Sequence, residues 1–220
     1  INALIIDEIT DLTDATQVSK AVKTTLASKQ FGNEDILSKL VTEAIIHVMP
    51  KKNPKQFNVD NIRVVKIMGS SIDASTVLKG MVFGREPEGS IKKVSKTKVG
   101  VFTCPIDISA TETKGTVLLH NAQEMLDFTK GEEKQVEAIA KELADTGLRV
   151  GIAGAGVGEL ALHYLNLHGI LVFTGPSKFE LRRLCRVVGA TPLPRLGAPM
   201  PEELGVIDTV ETIEIGGDRV

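Results

Sequence analysis

The chain has 220 residues, of which 42% are hydrophobic and 25% are charged, a balance typical of a folded protein with a substantial core. This composition excludes an intrinsically disordered chain and a collagen-like one. The formal net charge of −2 gives no overall field that attracts phosphates, and no apolar run approaches the roughly 20 residues that span a bilayer. We therefore expect neither nucleic acid nor a membrane as a partner.

The two cysteines indicate the redox state of the chain, and the two ends of the sequence indicate whether it belongs to a longer polypeptide. Cys104 and Cys185 lie far apart in apolar surroundings, which is typical of reduced, buried thiols rather than of a disulfide framework. The sequence begins at Ile1 without an initiator Met and ends at Val220 without a helix-capping pattern. We expect it to be a piece of a longer polypeptide.

The first part of the chain is predicted to be helical. Apolar residues recur at helical spacing over residues 18–26, and again over residues 36–48, where Asn33 is a plausible N-cap and Pro50 ends the pattern. Two helices cannot bury this apolar surface by themselves, so we expect them to pack on a part of the protein outside this sequence. The polar, proline-containing connector at residues 51–55 predicts a domain boundary near Phe57.

Beyond that boundary the pattern predicts a mixed α/β domain. Strands alternating with helices are predicted at residues 62–68, 76–83, 99–104, 149–153, 170–173, 190–192 and 206–215. A charged helix is predicted at residues 121–144, with one buried stripe formed by Val136, Ile139, Ala140 and Leu143. The apolar residues upstream of that stripe do not share one face, so some should point outward unless a partner covers them.

A glycine-rich sequence follows the strand predicted at residues 149–153. Reading Gly154 and Gly156 as the first glycines of a dinucleotide fingerprint places Glu159 where the third glycine should stand, and no acidic residue occurs about 20 positions on. A tight turn between a strand and a helix is the simpler interpretation. A small α/β nucleotide- or ligand-binding enzyme domain that uses the turn at Gly154–Gly158 remains the alternative.

No pattern for metal binding or nucleophilic catalysis is present. Glu159 and His163 have the i, i+4 spacing of a ligand pair but no evident third ligand, and no nucleophile elbow occurs. We therefore predict no catalytic residue and no metal site. A basic stripe at Lys178, Arg182 and Arg186 either grips an acidic segment or a neighbouring subunit, or is simply a solvated helix face.

Five stretches resemble the group II chaperonins of the TCP-1 family, and the resemblance runs over the whole chain. They are KIMG at 66–69, LKGMVF at 78–83, TKGTVLL at 113–119, GVGELALHYL at 156–165 and FELRRLC at 179–185. The first two are general to the family, and the other three point to one subunit type of the eukaryotic cytosolic chaperonin.

The resemblance implies a three-domain chaperone subunit that acts in the cytoplasm. Such subunits form a double-ring hetero-oligomer with seven other paralogous subunits, bind unfolded client proteins and use ATP to fold proteins such as actin and tubulin. It implies that residues 1–57 belong to the intermediate domain, that residues 58–214 form the apical substrate-binding domain and that residues 215–220 return to the intermediate domain. ATP and Mg²⁺ would bind in an equatorial domain outside this sequence, so we expect this chain alone to be a monomer without a cofactor or enzymatic activity.

The resemblance also implies three groups of site residues. The helical protrusion at about 114–141 would act as a built-in lid, with Leu118, Leu119, Met125, Leu126 and Phe128 at its tip. Clients would bind in a groove between the helix at 157–168 and a proximal loop at 85–91. The loop residues toward the groove are Arg85, Glu86, Glu88 and Ile91. Helical periodicity, with Val157, Leu160, Ala161, Tyr164 and Leu165 as the buried stripe, leaves Glu159, His163, Asn166 and Leu167 toward it.

Overall fold

A computed structural model describes residues 5–29, 31–107, 120–175 and 177–220 of the chain. The chain divides into two compact units. The first extends to Val82 and includes Ile215–Asp218, and the second comprises Phe83–Glu214 with the last two residues. This division falls later in the sequence than the domain boundary predicted near Phe57.

The first unit is built around a pair of helices, α1 (Ala15–Ala27) and α2 (Glu34–Val48). The Asp14 side chain caps α1 by accepting a hydrogen bond from the backbone N–H of Thr16. Asn33 is the N-cap residue of α2, as predicted, although its side chain makes no capping hydrogen bond. Single turns of 3-10 helix follow at Pro54–Gln56, Val59–Asn61 and Ile72–Ala74.

The strands predicted at residues 62–68 and 76–83 do not form. Neither segment pairs with a strand in the described part of the chain, and Val64, Met68 and Leu78 are exposed. Alternating apolar residues favour an extended chain, but a strand also needs a neighbour that satisfies its backbone N–H and C=O groups. These two predictions are therefore wrong for this structure.

The second unit contains an open sheet with helices on both of its faces. Its strands are β1 (Lys93–Phe102), β2 (Leu148–Ala153), β3 (Leu171–Thr174), β4 (Pro192–Leu193) and β5 (Gly205–Glu211). The order is β3-β2-β1-β4 with these strands parallel, and β5 pairs antiparallel with the first part of β1. Short strands β6 (Glu214–Ile215) and β7 (Asp218–Arg219) form a separate sheet. The predicted mixed α/β fold class is confirmed.

Two of the differences between the predicted and observed strand boundaries are several residues long. β1 begins at Lys93 instead of residue 99, because its lysine-rich first half pairs with β5 and keeps its charged side chains exposed, as the Lys93–Glu211 ion pair of 2.7 Å shows. The single strand predicted at 206–215 is interrupted after Glu211.

The helices of this unit are α3 (Ala122–Asp145), α4 (Glu159–Leu167) and α5 (Lys178–Val188). The connections through α3 and α4 run in one direction across the sheet, and the connection through α5 runs in the other. Because such crossovers are right-handed, α3 and α4 cover one face of the sheet and α5 covers the opposite face. The buried cluster that includes Phe102, Val136 and Leu165 lies under α3 and α4 and contains no residue of α5.

The long helix α3 has two different halves. Every residue from Ala122 to Gly131 is exposed, whereas Val136, Ala140 and Leu143 are buried against the sheet, as their spacing predicts. The first half of α3 therefore extends beyond the core of its unit.

Candidate functional site

The glycine-rich turn before α4 is filled by the chain itself. The N–H of Gly154 donates to the carbonyl of Phe102 (2.7 Å), and the N–H of Gly158 donates to the carbonyl of Ile106 (3.0 Å). The carboxylate of Asp107 lies against Gly158, the N-cap residue of α4. A pyrophosphate would need these amide groups and would be repelled by this carboxylate. The structure does not support the alternative of a nucleotide-binding enzyme domain.

Helix α4 is anchored on the sheet by one face. Ala161 and Leu165 are buried, and Leu160 and Leu162 pack at the edge of the same cluster. Tyr164, predicted as a buried residue, is partly buried and packs against the same cluster as Leu160, and its hydroxyl donates to Glu133 Oε1 on α3 at 2.9 Å. The helical period cannot foresee this contact, since it depends on where α3 lies.

The opposite face of α4 carries a single row of exposed side chains. Glu159, His163 and Leu167 are spaced four residues apart, and Leu167 is 69% exposed. The row extends over about 12 Å at 1.5 Å per residue, which is the length of about four residues of extended chain. The imidazole of His163 lies edge-on to the ring of Tyr164, with 5.4 Å between centroids.

The loop at residues 85–91 is fixed to the edge of β3. The backbone N–H of Glu88 donates to the carbonyl of Val172 (2.7 Å), and the Glu88 carboxylate accepts from the hydroxyl of Thr174 (2.7 Å). Arg85 is exposed and Ile91 is half-buried. The loop is thus held as an additional, single-bridge element beside the outermost strand.

Glu86 joins the loop to two cations. Its carboxylate lies 3.1 Å from Lys92 Nζ and 3.3 Å from Arg219 Nη1. The hydrogen bond from Lys92, with a further one from Arg219, holds the pKa of Glu86 below its usual value despite partial desolvation. The carboxylate therefore stays ionised, and both of its neighbours help to shape the loop.

Asn166 contacts the loop directly. Gly89 has a φ of +83°, and its backbone lies so close to the Asn166 amide that a side chain at this position would overlap it. The Asn166 Oδ1 atom is buried and has no hydrogen-bond partner in the described part of the chain. Of the four α4 residues predicted to face the groove, Asn166 is thus the one that contacts the loop, and Glu159, His163 and Leu167 form the row beside it.

Arg149 is a residue of this region that sequence reasoning missed. Its Nη1 atom donates to the carbonyl of His168 at 2.6 Å, directly after the end of α4. Cationic groups at a helix C-terminus satisfy its last carbonyl groups and its partial negative charge. The sequence shows a basic residue in the strand before α4, but it does not show that this residue contacts the end of α4, because Arg149 and His168 are 19 residues apart.

The apolar residues predicted at the tip of the protrusion are exposed where the structure describes them. Met125, Leu126 and Phe128 lie in the first half of α3 with at least two fifths of their surface accessible. Leu118 and Leu119 lie outside the described residues. In the described ranges, no group of three or more metal-ligating side chains occurs, and no helix has the length and hydrophobicity that crossing a membrane requires.

The fold is that of a mixed α/β domain with a long helix whose first half is exposed. The chain belongs to the TCP-1/cpn60 chaperonin family, whose family model matches residues 3–220. The resemblance predicted from the sequence is thereby confirmed.

Comparison with individual proteins agrees with this assignment. The chain is 64% identical to T-complex protein 1 subunit theta of Saccharomyces cerevisiae, over 100% of this chain and 40% of the relative. It is 47% identical to the theta subunit of Homo sapiens, over 96% of this chain and 38% of the relative. The chain thus spans about two fifths of the length of these curated relatives. Its fold matches an open-state monomer of a group II chaperonin from Methanococcoides burtonii with a TM-score of 0.71 and 22% identity, over 96% of this chain and 48% of that one.

Proposed function

We propose that this chain is the client-binding part of a cytoplasmic chaperonin subunit, and that unfolded proteins dock between α4 and the loop at residues 85–91. The observation that carries the proposal is the row of Glu159, His163 and Leu167, exposed beside a loop that is fixed on β3 and on Asn166. Family membership and the theta relatives support the chaperone role.

The chemistry of the row suits selective and weak capture. It offers one carboxylate, one imidazole and one apolar anchor, with the exposed Arg85 available from the loop. Such a surface holds an extended segment through a few polar contacts and one apolar contact, whereas general hydrophobic capture needs a contiguous apolar patch. Because the binding is weak, a client protein can dissociate at little cost in free energy. A folding cycle requires such dissociation.

The proposal includes the arrangement of the whole protein. Residues 1–57 and 215–220 would belong to the intermediate domain, and residues 58–214 would form the apical domain with its protrusion at 114–141. ATP and Mg²⁺ would act in an equatorial part of the full-length subunit, within a hetero-oligomeric ring of eight paralogues. The 220-residue chain alone would be monomeric and without enzymatic activity. Sedimentation velocity tests the first of these statements, and a stable oligomer would contradict it.

A paired substitution tests the groove. His163→Ala with Leu167→Ser should weaken the binding of chemically denatured actin by about thirtyfold, since two partly exposed contacts that each contribute on the order of 1 kcal/mol are removed. Both side chains are exposed, so the melting temperature should remain nearly unchanged. Fluorescence anisotropy of labelled actin, kept dilute to prevent aggregation, measures the affinity.

The matched control makes the same chemical changes on α3. His120→Ala with Leu126→Ser also replaces an exposed histidine and an exposed leucine, but near the start of the protrusion. Binding should be retained in this variant. If the control pair abolishes binding and the groove pair does not, the client site lies on the protrusion and the groove assignment is wrong.

A further inference from the structure

The hydroxyl group of Tyr164 joins α4 to α3 at the point where the buried half of α3 begins. It donates to Glu133 Oε1 at 2.9 Å. Glu133 lies three residues before Val136 and seven before Ala140, so it continues the buried stripe of α3 by one more turn. The Glu133 side chain is itself exposed, because the core of the unit ends there. Its hydrogen bond to Tyr164 therefore holds this turn of α3 to α4.

The exposed half of α3, which comprises residues 122–131, directly precedes this hydrogen bond. Every one of its residues is exposed. Its side-chain hydrogen bonds in the described part of the chain join residues four positions apart and so stay local. Gly131 weakens the helix two residues before Glu133, since glycine is a poor helix former. A helical segment with few tertiary contacts opens at a low cost in free energy, so this half exchanges between helical and frayed states.

Fraying of the exposed half acts on Glu133 through the backbone. In an intact helix the N–H group of residue 133 donates to the carbonyl group of Thr129, which belongs to the exposed half. When that turn opens, the Glu133 carboxylate can rotate away from Tyr164, whereas the intact turn holds it at the tyrosine hydroxyl. The helical state of residues 122–131 and the hydrogen bond to Tyr164 therefore stabilise each other.

Tyr164 also contacts the row of exposed side chains on α4. Its ring and the imidazole of His163 lie edge to face, with 5.4 Å between centroids and an interplanar angle of 77°. A bound molecule that orders the His163 side chain in this position favours the tyrosine rotamer that donates to Glu133. The same aromatic ring thus links the row to the start of the buried half of α3.

We propose that Tyr164 and Glu133 are positioning residues that couple client binding on α4 to the helical order of residues 122–131. This inference rests on the proposed docking of clients beside α4. A bound client should make the exposed half of α3 more helical without contacting it. Because coupling between two equilibria is reciprocal, a more helical exposed half should bind the client more tightly by the same factor.

Hydrogen exchange detected by mass spectrometry tests the coupling in the 220-residue chain. Dilute, chemically denatured actin should slow the exchange of residues 122–131 by about threefold, as expected for one modest hydrogen bond. Tyr164→Phe removes the hydroxyl and keeps the ring, so the slowing in this variant should be nearly absent. The readout is the difference that actin makes, since a purely structural loss would speed exchange equally with and without actin.

Variants of α3 assign the effect to the Glu133 carboxylate. Glu133→Ala should abolish the slowing, whereas Glu133→Gln should retain most of it, because the amide oxygen still accepts a hydrogen bond. The matched control is Glu137→Ala, which removes an exposed carboxylate that also acts on Tyr164 by its charge. This control should leave the slowing unchanged, since the hydrogen bond to Glu133 remains.

A second measurement follows from reciprocity. Gly131→Ala makes the exposed half more helical and should tighten actin binding by about twofold. In a Tyr164→Phe background the same substitution should leave the affinity unchanged, because the connection to α4 has been removed. An equal gain in both backgrounds would contradict the coupling.

Three outcomes would overturn the inference. Slowing that persists in Tyr164→Phe and in Glu133→Ala would show that actin contacts the exposed half directly. If actin does not slow exchange in the parent chain although His163→Ala with Leu167→Ser weakens binding, the coupling is absent and the client-binding proposal stands. If that pair leaves actin binding unchanged, the client-binding proposal fails and the inference fails with it.

Discussion

At the scale of single residues, the contact between Gly89 and Asn166 is the most sharply constrained feature of the candidate site. Gly89→Ala should destabilise the second unit by about 1–3 kcal/mol, because it places a Cβ atom on a residue with φ of +83° and against the Asn166 amide. Urea unfolding measures the loss. Gly84→Ala is the control in the same loop region, since a Cβ atom there meets nothing within 4 Å.

A double substitution separates the two causes of that loss. In an Asn166→Ala background the steric part disappears, so Gly89→Ala should cost less than it does in the parent chain. If Gly89→Ala is as stable as Gly84→Ala, the loop does not rest on α4 in solution.

Tyr164 offers a direct measurement, because it is the sole tyrosine of a chain without tryptophan. Its hydrogen bond to the Glu133 carboxylate, with some desolvation and the charges of Glu133 and Glu137, raises the pKa of the phenol above its usual value. Ultraviolet titration of the phenolate should show this raised pKa. Glu133→Ala should return the pKa toward its ordinary value, and Glu132→Ala should not.

The sign of the linked stability follows from the direction of this shift. A raised pKa means that the contact between α3 and α4 stabilises the folded state below the ordinary pKa of tyrosine, and that this contribution disappears as pH rises through the raised value. Tyr164→Phe should therefore remove part of the alkaline loss of stability. An unchanged stability profile at high pH would show that the hydrogen bond is not maintained in solution.

Helical periodicity predicts which α4 residues are exposed, and it does so correctly for Glu159, His163 and Leu167. It does not reveal the roles of Asn166 and Tyr164. Their partners, Gly89 and Glu133, belong to other elements, and no local pattern encodes that proximity. The burial of a residue on a helix is a local property to first order, whereas its hydrogen-bond partner is a property of the tertiary fold.

At the scale of secondary-structure elements, α3 is the element whose halves should behave differently. Gly131 lies inside this helix, and a Cβ atom there would meet nothing within 4 Å. Gly131→Ala should therefore stabilise the first half of α3 by about 0.5–1 kcal/mol, since glycine is a poor helix former. Hydrogen exchange should show weaker protection at Ala122–Phe128 than at Val136–Leu143 in the parent chain, and slower exchange of the first half in the variant. Equal protection of both halves from hydrogen exchange in the parent chain would contradict this prediction, because it would mean that the first half is shielded from solvent.

The elements themselves are predictable to different degrees. The helices follow from their apolar spacing because each forms its backbone hydrogen bonds within its own segment. The irregular segments at 62–68 and 76–83 carry strand-like alternation but pair with no strand among the residues that the structure describes. The lysine-rich half of β1 lacks the alternation yet pairs with β5. Strand formation depends on a distant neighbour, which a local pattern does not specify.

At the scale of the whole molecule, the helix N-termini of the second unit share one property. Each of the three helices in its described part has a carboxylate at its start: Glu124 accepts from the N–H of His120 before α3, Asp107 lies against Gly158 at α4, and Glu180 caps α5. A helix N-terminus binds phosphate through unpaired amide groups and a positive partial charge. Here the positive ends of the helices are already compensated by acidic side chains.

We therefore expect the 220-residue chain to bind neither Mg²⁺-ATP nor a dinucleotide at these helices. Isothermal titration calorimetry should show no saturable heat with either ligand, and a phosphate-release assay should remain at background. Asp107→Ala is the informative variant, because it removes the carboxylate that lies against Gly158. The N–H groups of Gly154 and Gly158 still donate their hydrogen bonds to the carbonyl groups of Phe102 and Ile106 in this variant. If the carboxylate alone excluded nucleotide, this variant would begin to bind it. If the occupied amides also exclude it, as we expect, the variant will show no heat. Saturable binding by the parent chain would instead demonstrate a nucleotide site in this part of the protein.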